Sequence, residues 1–490
     1  MKKEKTITKE ANATTKNLAG VVFFKAILYP VLLLSMMLVP RTMGPTIYGE
    51  YAVLISIIVI VTTLVDFGSG AIFGRFVPEF ESRGEIENIR KLTTNIFAFK
   101  VIIELIVSII LFSVLYFLYR DKYPVIYFFL LIAILVVHDW TTIPLALLFG
   151  LNKLVKYALR DPIRRVLSLT FILILFHFFG LIGAIISNLL VEISLALVVF
   201  YWTKGYFLFK YFKPDLSFLK PYLRFEALYY LATVLLITQQ RLGNPLIEQL
   251  AGDTKEVALF DLPNSIFVIV LTFTSLPVES LVPIFSKLLL MGKEGKLINW
   301  SKLITKYLGI LCSITIGSYI LAAPDLIPIL IGPQFKEFFP NGVGLLFGMF
   351  PMIFAQMAVV YSVVYKQIRK YLTALIFSFT TFITASFLLI PKYASFGCAV
   401  AVLISCITLF LVMFFFFKDK ILPCIKEALK VMALGLVFVP FLFIKGDIVI
   451  SLFVTGGFLA VYFLILFYSG SLKLAEIKEI IQAVRHKSDE

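Results

Sequence analysis

Two acidic residues lie inside long apolar stretches of the sequence, where an unpaired charge is costly. Asp139 belongs to the run His138-Asp139-Trp-Thr-Thr142 near the middle of one stretch, and Glu192 lies near the middle of another. A carboxylate in apolar surroundings must be paired with a cation, protonated or bound to an ion. We therefore predict a proton or sodium site that uses Asp139 and Glu192. The alternative interpretation is a buried polar bridge between helices.

Other charges in or beside apolar stretches have simpler interpretations. Lys100 and Glu104 are four residues apart, so they share one face of a helix, and we predict that they pair with each other. Asp66, Asp261 and Glu279 lie near the ends of their stretches, and we interpret them as solvated.

The sequence contains no recognisable catalytic motif. It has no HExxH, and the glycine-rich run Gly68–Gly74 lacks the GK[ST] ending of a phosphate-binding loop. The four cysteines show no CxxC spacing, which disfavours a metal site or a disulfide framework. We predict no catalytic residue, no metal and no cofactor beyond a coupling proton or sodium ion.

The composition indicates which elements must position these residues. The chain has 490 residues, of which 60% are hydrophobic and 15% charged, and this is too apolar for a soluble fold. A helix needs about 20 residues to cross a hydrocarbon core of about 30 Å, and the apolar stretches have that length. Continuous apolar runs exclude membrane strands, which alternate. We predict an all-α polytopic membrane protein with about 14 transmembrane helices, at residues 20–40, 50–71, 92–118, 123–149, 162–180, 181–202, 222–241, 256–278, 304–331, 341–365, 368–390, 396–417, 425–444 and 447–468.

The basic residues predict the orientation of these helices. With the amino terminus in the cytoplasm, 35 of the 45 lysines and arginines fall in cytoplasmic segments and 8 fall in outer loops. This asymmetry is the positive-inside pattern of a cell-membrane protein with both termini in the cytoplasm. The formal net charge of +15 therefore reflects topology, and nucleic acid is not a predicted partner.

Short motifs recur in chain order at an offset of about 200 residues. RTMGPTIYGEY begins at Arg41 and its weaker copy RLGNPLIEQLAG at Arg241, while FVPEF at 76–80 is matched by LVPIF at 281–285. Six spans per repeat would give two parallel repeats, an arrangement that allows alternating access. The predicted parts are a cytoplasmic tail (1–19), an N-lobe with helices 1 to 6 (20–202), a linker (203–221), a C-lobe with helices 7 to 12 (222–417), helices 13 and 14 (418–470) and a second cytoplasmic tail (471–490).

The runs RTMGPTIYGEYAVLIS, VDFGSGAIFGRFVPEF and GLNKLVKYAL resemble those of the polysaccharide flippases, the Wzx or RfbX branch of the multidrug/oligosaccharidyl-lipid/polysaccharide exporter superfamily. The resemblance covers the first 200 residues and reaches the rest through the repeat. It implies a carrier that moves polyprenyl-diphosphate-linked oligosaccharide across the membrane by alternating access between two lobes. Membrane lipids are implied partners, and a polysaccharide polymerase or ligase is expected by analogy.

The resemblance gives the basic residues a possible role. Flippases of this superfamily line their cavity with helices 1, 2, 7 and 8, and a diphosphate needs a cationic partner there. Lys25, inside the first span, is the main candidate; the alternative is that it snorkels to the headgroups. Further substrate-binding candidates are Arg41, Arg75, Arg224 and Arg241. Prolines bend membrane helices, and the hinge candidates are Pro30, Pro263 and Pro277.

Two other functions remain as alternatives. The first is a cation-coupled multidrug exporter of the same superfamily, which usually has twelve spans and no basic residue in the first span. The second is a membrane glycosyltransferase or polymerase, which would need a long outer loop with catalytic residues. All predicted outer loops of this chain are short.

Overall fold

The computed structural model describes the backbone of residues 2–279, 281–444 and 446–473. It describes the side chains of residue 28 and of residues 30–473 other than 209, 223–226, 276, 277, 279, 280 and 445. Helices α1 to α13 span Lys2–Asp66, Ser69–Ser82, Ile86–Tyr119, Val125–Gly150, Leu154–Thr203, Leu216–Ala251, Thr254–Glu279, Val282–Leu290, Glu294–Leu330, Phe339–Phe347, Met349–Val364, Ile368–Gly435 and Ile448–Tyr468. Short 3-10 helices span Lys204–Tyr206, Phe209–Tyr211, Pro333–Phe338 and Leu436–Phe443.

Three of the long helices are interrupted by residues with non-helical backbone angles. Gly44 breaks α1 at φ 73° and ψ 166°, a conformation that glycine adopts without steric cost. Gly180 breaks α5, and Ala394 and Phe417 break α12. Divided at these residues, the helices are consistent with about 14 membrane crossings.

The surface of the protein is that of a chain embedded in lipid. Nine helices in the described ranges are long and apolar enough to cross a membrane before they are divided at their breaks. Large apolar side chains face outward on several of them, including Phe117 (82% exposed), Phe415 (80%) and Phe453 (77%). A soluble protein would bury such residues. The predicted class, an all-α polytopic membrane protein, is confirmed.

The first of two compact units comprises residues up to Met43 together with Val53–Ile237. Its core joins α2, α3 and α4 through Phe73, Leu92 and Leu147, none of which is exposed. The segment before α6 is tied to α3, because the amide of Leu208 donates to Thr94 Oγ1 at 3.1 Å and the amide of Asp215 donates to Asn95 Oδ1 at 2.8 Å.

The second unit comprises Gly44–Ala52 together with the chain from Thr238 onward. One of its cores joins α7 and α9 through Leu259 and Ile327. A second core joins α9, the end of α12 and α13 through Val431, Phe458 and Tyr462, so the last two helices pack onto α9. The predicted lobe boundaries at 202 and 222 stay a prediction.

Candidate functional site

A buried ion-pair network joins α1, α3 and α4 in the first unit. Lys100 of α3 places its Nζ atom 2.9 Å from Asp139 Oδ1 on α4 and 3.3 Å from Asp66 Oδ1 at the end of α1. The side chains of Lys100 and Asp139 are 2% and 4% exposed. Hydroxyl groups complete the network: Ser69 Oγ donates to Asp66 Oδ1 at 2.6 Å, and Thr142 Oγ1 donates to Asp139 Oδ1 at 3.0 Å.

Glu104 lies one helical turn beyond Lys100 on α3 and is buried, with 1% exposure. Among the residues that the structure describes, neither of its carboxylate oxygens has a hydrogen-bond partner, and Asp139 Oδ2 has none either. We call Asp66, Lys100, Glu104 and Asp139 the Lys100 cluster. Three carboxyl groups thus belong to a cluster with one ammonium group, and two of them, those of Asp66 and Asp139, contact it. An unpaired ionised carboxylate is costly at such a site, so the cluster is suited to take up a proton or another small cation.

The predicted pairing of Lys100 with Glu104 is wrong. Side chains on a helix lean toward its amino terminus, so the long Lys100 side chain extends away from a residue four positions later. The order Lys before Glu is also the weaker of the two possible orders at this spacing. Asp139 and Asp66, on other helices, lie within reach of the ammonium group instead.

Glu192 belongs to a different set of contacts on α5 and α4. It forms a short ion pair with Arg164, and His138 Nδ1 lies 3.3 Å from Glu192 Oε1. Its side chain is 1% exposed, while that of Arg164 is 35% exposed. Asp139 and Glu192, predicted as one site, thus have separate ionic partners. Glu192 is already neutralised by Arg164, which leaves Asp139 and its cluster as the stronger candidate.

The corner that follows the first span belongs to the second unit and packs on α6 and α7. Tyr48 Oη donates to Asp261 Oδ2 at 2.8 Å, and Asn244 Nδ2 donates to Asp261 Oδ1 at 2.6 Å. Arg241 lies 3.9 Å from the same oxygen. Asp261 is 5% exposed, so the interpretation of this residue as solvated is wrong. Tyr48 belongs to the first copy of the repeated motif and Asn244 to the second, and both donate hydrogen bonds to the Asp261 carboxylate.

The close packing of this corner explains its glycine. A Cβ atom at Gly49 would lie 1.7 Å from the carbonyl oxygen of Thr254, far inside van der Waals contact. Position 49 therefore accepts only glycine while α7 lies this close.

The remaining predicted residues are placed individually. Arg41 and Arg75 are exposed, and the guanidinium carbon of Arg75 lies 5.5 Å from the centroid of the Phe76 ring. Pro30 is exposed within α1 and Pro263 is buried within α7, whereas the break of α1 lies at Gly44. The side chains that lie outside the described residues are those of Lys25, Arg224, Pro277 and Glu279.

Sequence reasoning missed Lys100 as the partner of Asp139, Arg164 as the partner of Glu192 and Asn244 as the partner of Asp261. The sequence contained one signal for the contact between Lys100 and Asp139. Lys100 lies 19 residues before the end of α3 and Asp139 lies 14 residues after the start of α4, so two antiparallel helices bring them to within about one and a half helical turns of the same depth, a gap that a long lysine side chain can span.

Comparison with known structures identifies the fold. The lipid II flippase MurJ in an inward closed conformation matches with a TM-score of 0.66 and 14% identity, covering 91% of this chain and 100% of that one. An inward-facing multidrug resistance MATE family transporter of the MOP superfamily matches with a TM-score of 0.63 and 15% identity, covering 81% and 95%. A mutant of the Vibrio cholerae MATE transporter VcmN matches with a TM-score of 0.53 and 13% identity, covering 84% and 98%. At these identities the likeness establishes the fold alone.

The sequence comparisons establish the family. No curated protein matches the chain. The family described as "Polysaccharide biosynthesis protein" matches residues 15–289, which is more than half of the chain and includes the whole Lys100 cluster and the repeated corner. This chain, with the fold of membrane transporters, therefore belongs to the polysaccharide biosynthesis protein family.

Proposed function

We propose that this protein is a flippase that carries a polyprenyl-diphosphate-linked oligosaccharide across the cell membrane for surface polysaccharide or glycoconjugate assembly. Transport proceeds by alternating access between two six-helix lobes. Membership of the polysaccharide biosynthesis family supports the sugar substrate. The fold shared with MurJ, a lipid II flippase, supports a lipid-linked form of it.

The observation that carries the transport mechanism is the Lys100 cluster. A purely structural ion pair needs one carboxylate for each ammonium group. Here Lys100 faces both Asp66 and Asp139, and Glu104 has no hydrogen-bond partner in the part of the chain that the structure describes. The surplus of acid suits a group that is loaded and unloaded with a cation during the cycle. Asp66 is 39% exposed, so one end of the cluster is accessible and the other is buried.

In this proposal the coupling ion is a proton or sodium. Binding of the cation neutralises a carboxyl group that Lys100 does not pair. Release of the cation leaves an unpaired buried charge, which favours the conformation that hydrates it. Glu192 remains the second coupling candidate from the sequence, although Arg164 already balances its charge.

The substrate diphosphate requires cationic side chains, and the candidates are not equivalent. Arg241 lies 3.9 Å from Asp261, so part of its charge is already balanced. Arg41 and Arg75 are exposed, which leaves them accessible to a bulky ligand. Lys25 and Arg224 are proposed from the sequence alone.

The protein is thus proposed to act as a transporter and not as an enzyme, in the cell membrane with both termini in the cytoplasm. Membrane lipids surround it, and a polymerase or ligase that uses the delivered sugar is its expected partner by analogy.

A second candidate function is a cation-coupled multidrug exporter, which the match to MATE transporters favours. Both functions use the same fold and can use the same ion site. They differ in the ligand, because an anionic diphosphate needs basic residues in the cavity and a cationic drug needs acidic or aromatic ones.

Deleting the gene in its host and labelling the lipid-linked oligosaccharide tests the proposal. The expected result is accumulation at the cytoplasmic face with loss of surface glycan, both restored by the wild-type gene. Normal surface glycan together with new sensitivity to cationic drugs would reject the flippase and select the multidrug exporter.

A further inference from the structure

The helical backbone is interrupted between α1 and α2, at Phe67 and Gly68. Both residues have left-handed backbone angles, with φ values of 50° and 70°. Glycine adopts this conformation readily, whereas it is sterically costly for a residue with a bulky side chain such as phenylalanine. A costly backbone conformation persists only where the surrounding structure holds it in place. We call Phe67 and Gly68 the α1–α2 joint; the glycine-rich run Gly68–Gly74 begins inside it.

The Lys100 cluster holds one side of the α1–α2 joint. Asp66 is the last residue of α1, and its Oδ1 atom accepts hydrogen bonds from Ser69 Oγ at the start of α2, at 2.6 Å, and from Lys100 Nζ on α3, at 3.3 Å. The ring of Phe67 packs against that of Phe99 on α3, with 5.7 Å between the centroids. The Asp66 carboxylate therefore connects both ends of the joint to the cluster.

Tyr230 of α6, also in the first unit, holds the other side of the joint. Its hydroxyl group donates to the carbonyl oxygen of Leu64 at 2.5 Å. The last four carbonyl groups of a helix have no partner within that helix, so a donor from α6 stabilises this end of α1. The ring of Tyr230 also stacks on Phe67, with 5.5 Å between the centroids and 27° between the planes. The joint thus contacts the Lys100 cluster and α6 at the same time.

Cation exchange in the cluster changes the forces on the joint. In the proposed function, release of the cation leaves a negative charge on Glu104, one helical turn from Lys100. This charge competes for the ammonium group with Asp66, whose contact of 3.3 Å is the longer of the two described contacts between Lys100 and a carboxylate. A weaker hold on Asp66 lets the joint relax, because the left-handed conformation of Phe67 then has less support. The Phe67 ring moves with its backbone, and the stacked Tyr230 ring follows.

We propose that the α1–α2 joint transmits the charge state of the Lys100 cluster to α6, and that Tyr230 is the positioning residue for this transmission. The inference rests on the cation cycle of the proposed function and not on the identity of the transported molecule. Helix α6 extends from Leu216 to Ala251, and along it the chain passes from the first unit, which ends at Ile237, into the second. A displacement of Tyr230 therefore acts on the helix that connects the two halves of the chain.

The test measures a distance within the first unit of the full-length protein in lipid nanodiscs. Spin labels are attached to Ile102→Cys on α3 and Leu228→Cys on α6, whose native side chains are 45% and 38% exposed. The four native cysteines are buried, so the labels report on the introduced positions. The distance between the labels is measured by electron paramagnetic resonance at acidic and alkaline pH without sodium, and at neutral pH with and without sodium.

Three variants identify the source of a distance change. Tyr230→Phe keeps the ring that stacks on Phe67 and removes only the hydroxyl group. Tyr201→Phe is its matched control, because it removes the hydroxyl group of a tyrosine on α5 that is 70% exposed. Glu104→Gln separates the cluster, whose charged groups at the joint are Asp66, Lys100, Glu104 and Asp139, from groups elsewhere in the unit that also titrate, such as His138 and Glu192.

We expect the cation to change the distance in the wild type and in Tyr201→Phe. Tyr230→Phe should lose at least half of this change, and Glu104→Gln should lose all of it. In vesicles with a cation gradient, Tyr230→Phe should transport at least fivefold more slowly, while the cation concentration for half-maximal transport stays the same because the cluster is intact. A tyrosine with a merely structural role would lower the amount of folded protein and leave the distance change of the folded fraction unaltered.

A wild type without a cation-dependent distance change would overturn the proposal, and this measurement needs no change at Tyr230, so it also covers a Tyr230→Phe variant that does not fold. An equal distance change in Tyr230→Phe and Tyr201→Phe would overturn it too. The distance is measured without any transported molecule. A wild type that responds to the cation but does not move the lipid-linked oligosaccharide would therefore reject the proposed substrate and support the role of the joint.

Discussion

Lys100 Nζ lies 2.9 Å from Asp139 Oδ1, and this contact joins α3 to α4 inside the first unit. Both side chains are almost fully buried. The pair alone would be a structural ion pair, which is often close to neutral for stability. The two further acidic residues, Asp66 and Glu104, distinguish this site from a purely structural ion pair.

Asp139→Asn tests whether the cluster couples transport to an ion. Lys100 keeps Asp66 at 3.3 Å, so we expect a loss of only about 1–3 kcal/mol of stability. Transport should lose its dependence on the proton or sodium gradient, as measured by substrate movement in vesicles with and without the gradient. If the variant instead fails to accumulate as folded protein, Asp139 is a structural bridge and the coupling role is rejected.

Glu104→Gln tests the buried carboxyl group for which the described part of the chain provides no hydrogen-bond partner. A glutamine has the size of a protonated glutamate, so we expect normal folding and transport that no longer varies with pH. Glu192→Gln is the matched control, because it breaks the buried pair with Arg164 and should cost about 1–3 kcal/mol. That control should lower the unfolding temperature and leave the pH dependence of transport unchanged. If transport instead lost its pH dependence in Glu192→Gln and kept it in Glu104→Gln, the coupling role would belong to Glu192.

The ion-pair partners of the buried residues show how much of the structure could be predicted from the sequence. Hydropathy predicted the helices because burial in lipid depends on each residue's own chemistry. The partners of Lys100 depend on the rotation and depth of three helices, which hydropathy does not determine, so the sequence favours the adjacent Glu104 over the more distant Asp139. The sequence indicates a solvated Asp261 for the same reason, since its neighbour Tyr48 is 213 residues away in the chain.

Gly49→Ala tests the close approach of the repeated corner to α7. The new Cβ atom would overlap the Thr254 carbonyl oxygen, and backbone atoms cannot rotate away as a side chain can. We expect a loss of about 3 kcal/mol or more, the upper end of overpacking, seen as reduced folded protein and a lower unfolding temperature. Gly70→Ala is the control, because no atom of the described residues lies within 4 Å of its Cβ position. Equal stability of the two variants would contradict the packing.

Asp215→Ala tests whether the Asp215 carboxylate caps the start of α6, outside the membrane. It accepts hydrogen bonds from the Ser217 hydroxyl at 2.6 Å and the Phe218 amide at 3.1 Å, which lower the pKa of its carboxyl group below the usual value. The Asp215 carboxylate therefore stabilises the start of α6 fully at pH values above the ordinary aspartate pKa of about 3.9. This stabilisation is lost as the pH falls through the lowered pKa of Asp215. Asp215→Ala should speed amide hydrogen exchange in the first turn of α6 at pH 7.

Asp215→Asn is the control for that measurement. Asparagine also caps helices but does not titrate, so exchange at pH 7 should stay near that of the wild type. In the wild type, the amides in the first turn of α6 should lose protection from exchange as the pH falls and Asp215 is protonated. This pH-dependent loss should be absent from the asparagine variant. If exchange in the alanine variant equals that of the wild type, Asp215 does not cap α6.

Lys25→Ala tests the proposed counter-charge for the substrate diphosphate. Removing the ammonium group from the first span should reduce transport of the lipid-linked oligosaccharide, measured by its leaflet distribution in the deletion host, at unchanged protein abundance. Lys25→Arg keeps the positive charge and should retain activity, because a guanidinium also binds phosphate oxygens. A lysine that only snorkels to the headgroups would tolerate both changes, so full activity of the alanine variant would exclude Lys25 from substrate binding and leave Arg41 and Arg75 as the next residues to vary.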